Sequence, residues 1–306
     1  MEVGEGRKPL ERRRVRRNAD APEERPEGSY AKLDGQYVYK TLAVDVGEGA
    51  SLELERVIFT RSTTCALKKT GKGDLVVRDC QFVNNQAGGR IDGRGLYVSG
   101  GHATVSNCQF RLNRGGTELP GFGCGIHLTD CVNAFVDDCL FATNGGRFGT
   151  CQETWSGQYN GSAAYVNNTP AVFRNCRFTA HGSGQRTDTD GGTVYFCGKS
   201  GGSALTNCTL VGNSDFLSYQ YSTTGRAGGT IVCAMSSQSA VLDVCNCTIA
   251  YNLTQGQYAS AGINVMSGTV NVRNSIVFGN VRGRRTSQDA GADIDVKSGA
   301  TLNAAY

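Results

Sequence analysis

Cysteine is the reactive residue that recurs most regularly in this chain of 306 residues, which holds thirteen of them. Six occupy one position of a repeated pattern, 28 to 39 residues apart: Cys80, Cys108, Cys139, Cys176, Cys208 and Cys247. A zinc site needs closely spaced pairs of cysteines or histidines, and the pair Cys245 and Cys247 has no second pair near it. We therefore interpret the six as small buried apolar residues, with neither a metal nor persistent disulfides at the repeated position.

Acid–base chemistry would depend on few side chains, because the chain has three histidines, His102, His127 and His181. His181 stands where other copies of the repeat have asparagine, which indicates a turn residue. The adjacent carboxylates Asp137 and Asp138 also fall inside the repeat, whereas a glycosidase needs two carboxylates at a controlled separation. No cluster of carboxylates recurs across neighbouring copies, so the sequence predicts no catalytic residue.

The segment from Thr187 to Gly192 reads T-D-T-D-G-G and resembles half of a calcium-binding loop. It lacks the third Asp or Asn and the distant bidentate Glu of a complete loop. A polar turn is therefore the expected structure and no cofactor is predicted, with calcium at Asp188 and Asp190 as the alternative.

Three long insertions between copies of the repeat hold the candidate binding residues. They carry Trp155 and Tyr159, Asp188 and Asp190, and Tyr219 and Tyr221. All three leave the repeat at the same position, so they can build one lateral surface with aromatic side chains and mixed charge. Aromatic residues of this kind stack on sugar rings or anchor a protein partner, and local packing against the repeat is the alternative.

The elements that must position these residues are short strands in a repeated unit. Each unit has an apolar alternation, then Asn or Asp, Cys, any residue, an apolar residue, two more residues and Asn. Its copies begin at Leu75, Thr104, Phe135, Val172, Ala204, Asp243 and Val270, with a degenerate first copy at Leu52. A second short strand precedes each later copy, as in GLYV at Gly95 and GIHL at Gly125.

Such a unit has period-2 strands and no helical period, and it cannot bury its own apolar face. Stacked units create a continuous interior and pair each strand with its equivalents above and below. The sequence therefore predicts an all-β, right-handed parallel β-helix of about eight coils with lateral insertion loops. The six cysteines should form one ladder, and a second should contain Asp79, Asn107, Asp138, Asn175, Asn207, Asn246 and Asn274 at turns that favour the left-handed conformation.

Composition limits the domains and partners. Residues 1–29 hold eight basic and seven acidic residues with little to bury, which predicts a disordered charged tail before one β-helix domain at residues 30–306. The chain stops at Tyr306 in what reads as the middle of a coil, so we expect the domain to be truncated there.

The net charge of +4 is small and no aromatic-interleaved basic stripe accompanies it, so nucleic acid is not an expected partner. No apolar stretch is long enough for a membrane helix, the first residues lack the apolar segment of a secretory signal, and a monomer is expected.

Two sets of motifs resemble a known family. The segments GGTVY (Gly191 to Tyr195) and GGTIV (Gly228 to Val232), with FVNN, FRLN and FATN, resemble repeats of polymorphic outer membrane proteins. From about residue 40 to 306 the chain is more broadly similar to right-handed parallel β-helix repeat proteins of pectate-lyase-like architecture. The resemblance implies a bacterial protein that is displayed on the cell surface or secreted and is often adhesive. The chain departs from the pattern in having Cys where many such repeats carry Ser.

The leading functional hypothesis is therefore a non-enzymatic surface or secreted protein whose insertion loops bind a glycan or a cell-surface protein. The first alternative is a polysaccharide lyase or glycoside hydrolase of the same fold, because fold alone does not determine chemistry. The second alternative is a spacer whose loops bind nothing.

Overall fold

The chain winds through three long parallel sheets, and each coil contributes one strand to each sheet. The computed structural model describes residues 13–14, 30–38, 42–87, 92–115, 122–145, 161–185, 192–217, 228–254, 260–284, 287–290 and 293–305. All neighbouring strands of the three long sheets pair in parallel, in equivalent register except for one shift between Cys233 and Ala234, which is the arrangement of a parallel β-helix. The all-β parallel β-helix predicted from the repeats is confirmed, and its right-handedness stays a prediction.

Within each long sheet, a strand pairs with its equivalents in the coils before and after it. The first sheet contains Arg13–Arg14, Ser51–Glu55, Asp74–Arg78, His102–Ser106, Asn133–Asp137, Ala171–Arg174, Ser203–Thr206, Val241–Cys245, Thr269–Arg273 and Thr301–Ala305. The second contains Leu42–Asp45, Leu67–Thr70, Leu96–Ser99, Ile126–Thr129, Ala164–Asn167, Val194–Gly198, Ile231–Met235, Ile263–Ser267 and Ile294–Val296. The third contains Ala31–Asp34, Val57–Thr60, Gln81–Val83, Gln109–Arg111, Leu140–Ala142, Arg177–Thr179, Thr209–Val211, Thr248–Ala250 and Ile276–Phe278.

A fourth column of short strands follows the third sheet from the coil of Gln81–Val83 onward. It consists of the pair Gln86–Ala87 and Arg114–Gly115, and of a sheet of Gly182–Gln185, Ser214–Leu217, Leu253–Thr254, Val281–Arg284 and Ser287–Ala290. Single bridges at Gly145 connect the two groups. The last two strands pair in an antiparallel manner.

The third sheet has nine strands, one more than the copies counted in the sequence. The additional strand is Ala31–Asp34, which pairs in parallel with Val57–Thr60. It has neither the Cys nor the closing Asn of the repeat, so the repeated pattern cannot reveal it. Of the first 29 residues the structure describes Arg13–Arg14 alone, paired with Leu52 and Glu53. The predicted disorder of the tail otherwise falls outside the described residues.

Inward-facing side chains form apolar ladders, because equivalent residues of adjacent coils lie about 4.8 Å apart. The clearest ladder contains fully buried phenylalanines of the third sheet: Phe59, Phe82, Phe110, Phe141 and Phe178. Successive ring centroids are 4.8 Å apart and the rings are nearly parallel. Leu210 and Ile249 continue the ladder in the next two coils.

The predicted cysteine ladder is confirmed. All six members are buried and carry free thiols. Each Sγ–H donates to the carbonyl two residues earlier, as Cys139 does to Asp137 at 3.1 Å. Ser275 occupies the same position in the next coil, where its hydroxyl accepts from the backbone N–H of Cys247 at 3.0 Å and donates to the carbonyl of Arg273 at 2.8 Å. From Cys80 to Ser275 the position therefore holds a small side chain that can both donate and accept, whereas Val57 and Ala31 occupy it in the two preceding coils.

The turn before each of these residues also has the predicted conformation. The residues Asp79, Asn107, Asp138, Asn175, Asn207, Asn246 and Asn274 all have φ between 47° and 54°. Some are linked between coils, as where the Asn107 side chain donates to Asp79 at 2.5 Å. None of the described residues belongs to a helix long and apolar enough to cross a membrane.

Candidate functional site

Six segments of variable length connect the fourth column of strands to the second sheet, and their attachment points lie at one corner of the stack. Each begins after a strand or bridge of the fourth column and ends just before a strand of the second sheet. They are residues 88–91, 116–121, 146–160, 186–191, 218–227 and 255–259, which lie outside the described residues. All six candidate binding residues fall in them: Trp155, Tyr159, Asp188, Asp190, Tyr219 and Tyr221. We call the outward face of the second sheet, with the ends of these segments beside it, the lateral face.

The corner itself is held by a buried ladder of side-chain amides, formed by the closing Asn of each repeat. Its members are Asn85, Asn113, Asn144, Asn213, Asn252 and Asn280, with Ser62 before them, His181 within them and Asp293 after them. The Asn113 side chain, for example, donates to Oδ1 of Asn144 at 3.0 Å and to the carbonyl of Phe82 at 2.9 Å, and it accepts from Asn85 at 2.8 Å. The asparagine members of the ladder therefore have hydrogen-bonded side-chain amides at this corner.

Gly145 shows how tightly the coils approach at this corner. It has φ of 113°, and a Cβ atom there would lie 2.1 Å from the carbonyl oxygen of Gly182. Only glycine combines that backbone conformation with so close an approach. Glycine at position 145 therefore lets the two coils stay in close contact at this corner.

The lateral face carries a column of aromatic side chains on adjacent coils. Tyr97, His127, Tyr165 and Tyr195 are aligned in the strand pairing and point outward. Ring centroids are 4.9 Å apart from Tyr97 to His127 and from His127 to Tyr165, and 5.6 Å from Tyr165 to Tyr195. Reasoning from the sequence missed this column. The signal was present as the outward position of the second short strand in GLYV, GIHL, AAYV and GTVYF.

Most ring faces of the column are already in contact with other groups. Phe122 stacks on Tyr165 with centroids 4.8 Å apart, and the ammonium group of Lys68 lies 5.2 Å from the ring centroid of Tyr97. His127 and Tyr195 are buried, at 5% and 4% exposure. The column therefore links adjacent coils across the lateral face, and few of its ring faces are open.

A chain of polar side chains runs beside the aromatic column. The Thr129 hydroxyl donates to Asp130 at 3.1 Å and accepts from the Asn167 amide at 3.3 Å. The Cys197 thiol contacts the Asn167 carbonyl oxygen at 3.4 Å and the Tyr165 hydroxyl at 3.1 Å. These hydrogen bonds link polar side chains of three adjacent coils.

His127 is the buried titratable group of the lateral face. Burial lowers its pKa to about 4, against the opposing effects of Asp92, of a hydrogen bond to the backbone of Phe122 and of Asp130. Asp92 also accepts a hydrogen bond from the backbone N–H of Phe122 at 3.0 Å, which holds the Phe122 ring beside His127. Among the described residues, Nδ1 of His127 has no hydrogen-bond partner. The imidazole is therefore neutral at physiological pH.

His181 lies inside the amide ladder and not on an exposed turn. Its Nδ1 accepts from the backbone N–H of Asn144 at 3.2 Å, and its backbone N–H donates to Oδ1 of Asn213 at 3.2 Å. Burial lowers its pKa to about 4, against hydrogen bonds to the backbone of Phe141 and Asn144. Its Nε2 has no partner within the part of the chain that the structure describes.

The adjacent carboxylates Asp137 and Asp138 have separate structural roles. The Arg174 guanidinium donates two hydrogen bonds to Asp137, at 2.9 and 2.5 Å, and so lowers the pKa of that carboxyl. Asp138 is the left-handed turn residue, with φ of 49°. Within the described ranges, no group of three or more His, Cys, Asp or Glu side chains is placed to hold a metal ion.

Comparisons of the chain with protein-family models, with curated proteins and with solved structures found no match.

Proposed function

We propose that this protein is a surface-displayed or secreted β-helix that binds a glycan through its lateral face, without catalysing a reaction on it. The observation that carries the proposal is that six connections of variable length join the fourth column of strands to the second sheet at equivalent positions of an otherwise regular stack. Variable segments on a rigid scaffold are where binding residues concentrate. A cell-surface protein is the alternative ligand.

The chemistry beside these segments supports a hydroxyl-rich ligand. The row from Asp130 through Thr129 and Asn167 to Cys197 and Tyr165 carries donors and acceptors on the outward side. The aromatic column beside it links the same coils, so a ligand would meet a preorganised surface. The six candidate residues in the segments would add aromatic and acidic contacts, in keeping with the sequence.

The test is a glycan array probed with the wild-type protein and with the double variant Trp155→Ala and Tyr219→Ala. We expect the variant to lose at least tenfold in affinity, because buried aromatic anchors are each worth about 1 kcal/mol or more in binding sites. Phe278→Ala is the matched control, since Phe278 is 60% exposed on the third sheet, away from the lateral face.

The outcomes separate the competing functions. Unchanged glycan and cell-adhesion signals in the double variant contradict the proposal and favour a spacer. A parallel turnover screen on acidic and neutral polysaccharides, with and without calcium, reads new unsaturated and reducing ends. Product formation would favour the lyase or hydrolase.

A further inference from the structure

Two buried histidines hold the same pair of adjacent coils together. His127 belongs to the coil of residues 122–145, and its ring packs against Tyr165 of the next coil. His181 belongs to that next coil, residues 161–185, and its Nδ1 accepts from Asn144 of the previous one. One contact lies in the aromatic column of the lateral face and the other in the amide ladder at its corner. The two imidazoles therefore bridge one interface at two points.

His181 makes this interface different from the other steps of the ladder. In the steps from Asn85 to Asn113, Asn113 to Asn144, Asn213 to Asn252 and Asn252 to Asn280, a side-chain amide donates to the next side-chain oxygen at 2.8 to 3.0 Å. At His181 the contact with Asn144 depends on an unprotonated Nδ1 that accepts from a backbone N–H. A proton on Nδ1 would face that N–H donor, and Asn144 would lose its acceptor. The carbonyl oxygen of Asn144, 3.3 Å from the same Nδ1, would accept such a proton but would not replace the acceptor that the N–H has lost.

The charged groups around the two imidazoles differ. Asp92 and Asp130 act on His127 from neighbouring turns, and Lys68 lies on the far side of Tyr97. The tyrosines of the column are neutral throughout the acidic range. Asn144, Asn213 and the backbone of Phe141 surround His181, and none of these groups carries charge. A proton on His181 would therefore have no counter-charge among its described neighbours.

We propose that His127 and His181 form an acid-sensitive joint in the β-helix: protonation of both imidazoles loosens the interface between residues 122–145 and 161–185 while the remaining coils stay stacked. The device is independent of whether the lateral face binds a glycan, and it would make the order of that face depend on pH.

The direction of the pH dependence follows from the burial of both groups. Their pKa values fall from an ordinary 6.5 to about 4 in the folded protein, so the opened state binds more protons between these values. The closed joint is thus fully stable above pH 6.5 and loses stability as the pH falls towards 4. At pH 5 each histidine should reduce the equilibrium constant for closing of the joint by about twentyfold relative to pH 7.

Hydrogen exchange followed by mass spectrometry tests the joint, with rates corrected for the intrinsic effect of pH. We expect peptides covering 126–145 and 161–185 to lose at least tenfold in protection from pH 7 to pH 5. Peptides covering 57–83 and 241–254 should keep theirs. The double variant His127→Phe and His181→Asn should keep protection throughout, because phenylalanine preserves the ring column and asparagine completes the amide ladder.

The control variant is His102→Asn, since His102 lies exposed on the first sheet and hydrogen-bonds Asn133. It should behave as the wild type. Equal loss of protection in the double variant, or no loss in the wild type, overturns the proposal. Simultaneous loss in all peptides also overturns it, because the transition would then be global. If the double variant does not fold, the single variant His181→Asn is tested instead. It should show half of the wild-type loss of protection on a logarithmic scale.

Discussion

At the scale of single residues, the fold depends on backbone conformations that most side chains avoid. Each coil has a second left-handed residue immediately before the closing ladder position. Gly212 and Gly279 fill it in two coils, whereas Leu112, Thr143 and Ala180 adopt φ of 53° to 56° in others. A left-handed conformation costs about 1–2 kcal/mol for a residue with a side chain. The stack therefore tolerates local strain where the amide ladder fixes the turn.

Thr143 is the least suitable of these residues, because β-branched side chains rarely adopt positive φ. We expect Thr143→Gly to raise the free energy of unfolding by about 1 kcal/mol, as relief of the strain exceeds the added entropy of the unfolded chain. Urea unfolding followed by circular dichroism measures the change. Thr179→Gly, in a regular strand of the third sheet, should instead lower stability, and an equal loss in both variants would show that Thr143 is not strained.

At the scale of elements, the ladders couple each coil to its neighbours. The apolar ladders supply burial, and the buried amide ladder satisfies polar groups at the corner where the lateral segments depart. The Asn113 side chain takes part in four hydrogen bonds: two with Asn85, one with Asn144 and one with the carbonyl of Phe82. Because Asn113 hydrogen-bonds to the coil before it and to the coil after it, its substitution affects three coils.

Replacing Asn113 with Leu preserves volume but leaves buried groups on Asn85, Asn144 and Phe82 without their partner. We expect Asn113→Leu to lower the free energy of unfolding by about 3 kcal/mol or more, since each unsatisfied buried polar group costs about 1–3 kcal/mol. The control is Asn303→Leu, which removes an exposed hydrogen bond to Asn271 at 2.9 Å and should cost much less. Similar losses in the two variants would contradict a special role for the buried ladder.

At the scale of the whole molecule, the stack behaves as a quasi-one-dimensional array in which each coil contacts its neighbours. Its continuous interior encloses the six ladder cysteines, and its outer faces carry Cys197 and Cys245, which are partly exposed. Hydrogen bonds with the thiols of Cys108 and Cys176, together with burial, raise the pKa of Cys139 well above its ordinary value. Burial raises the pKa of Cys233 to about 11. The interior thiols are thus inaccessible, and those of Cys139 and Cys233 are also protonated.

Thiol labelling at pH 7.5 should therefore report the integrity of the stack. In the native protein we expect Cys197 and Cys245 to react with a small aromatic disulfide reagent and the six ladder cysteines not to react. In denaturant all thirteen cysteines of the chain should react. Mass mapping of labelled peptides identifies the sites, and rapid native labelling of Cys139 would show that the interior opens. Cys139→Ser should fold, because Ser275 already occupies this position in the last copy.

The local pattern determined the strands, the parallel stacking, the cysteine ladder and the left-handed Asn and Asp turns, because a period-2 alternation and a repeated Cys and Asn admit few other arrangements. Only the tertiary structure decided what lies next to each residue between coils. The first strand at Ala31–Asp34 has no repeat residues to mark it, and Tyr97, His127, Tyr165 and Tyr195 are separated by 30 to 38 residues along the chain. The sequence predicts a turn residue at His181, yet the stacking of coils buries it among asparagines. Burial lowers the pKa of His181, so its protonation costs stability.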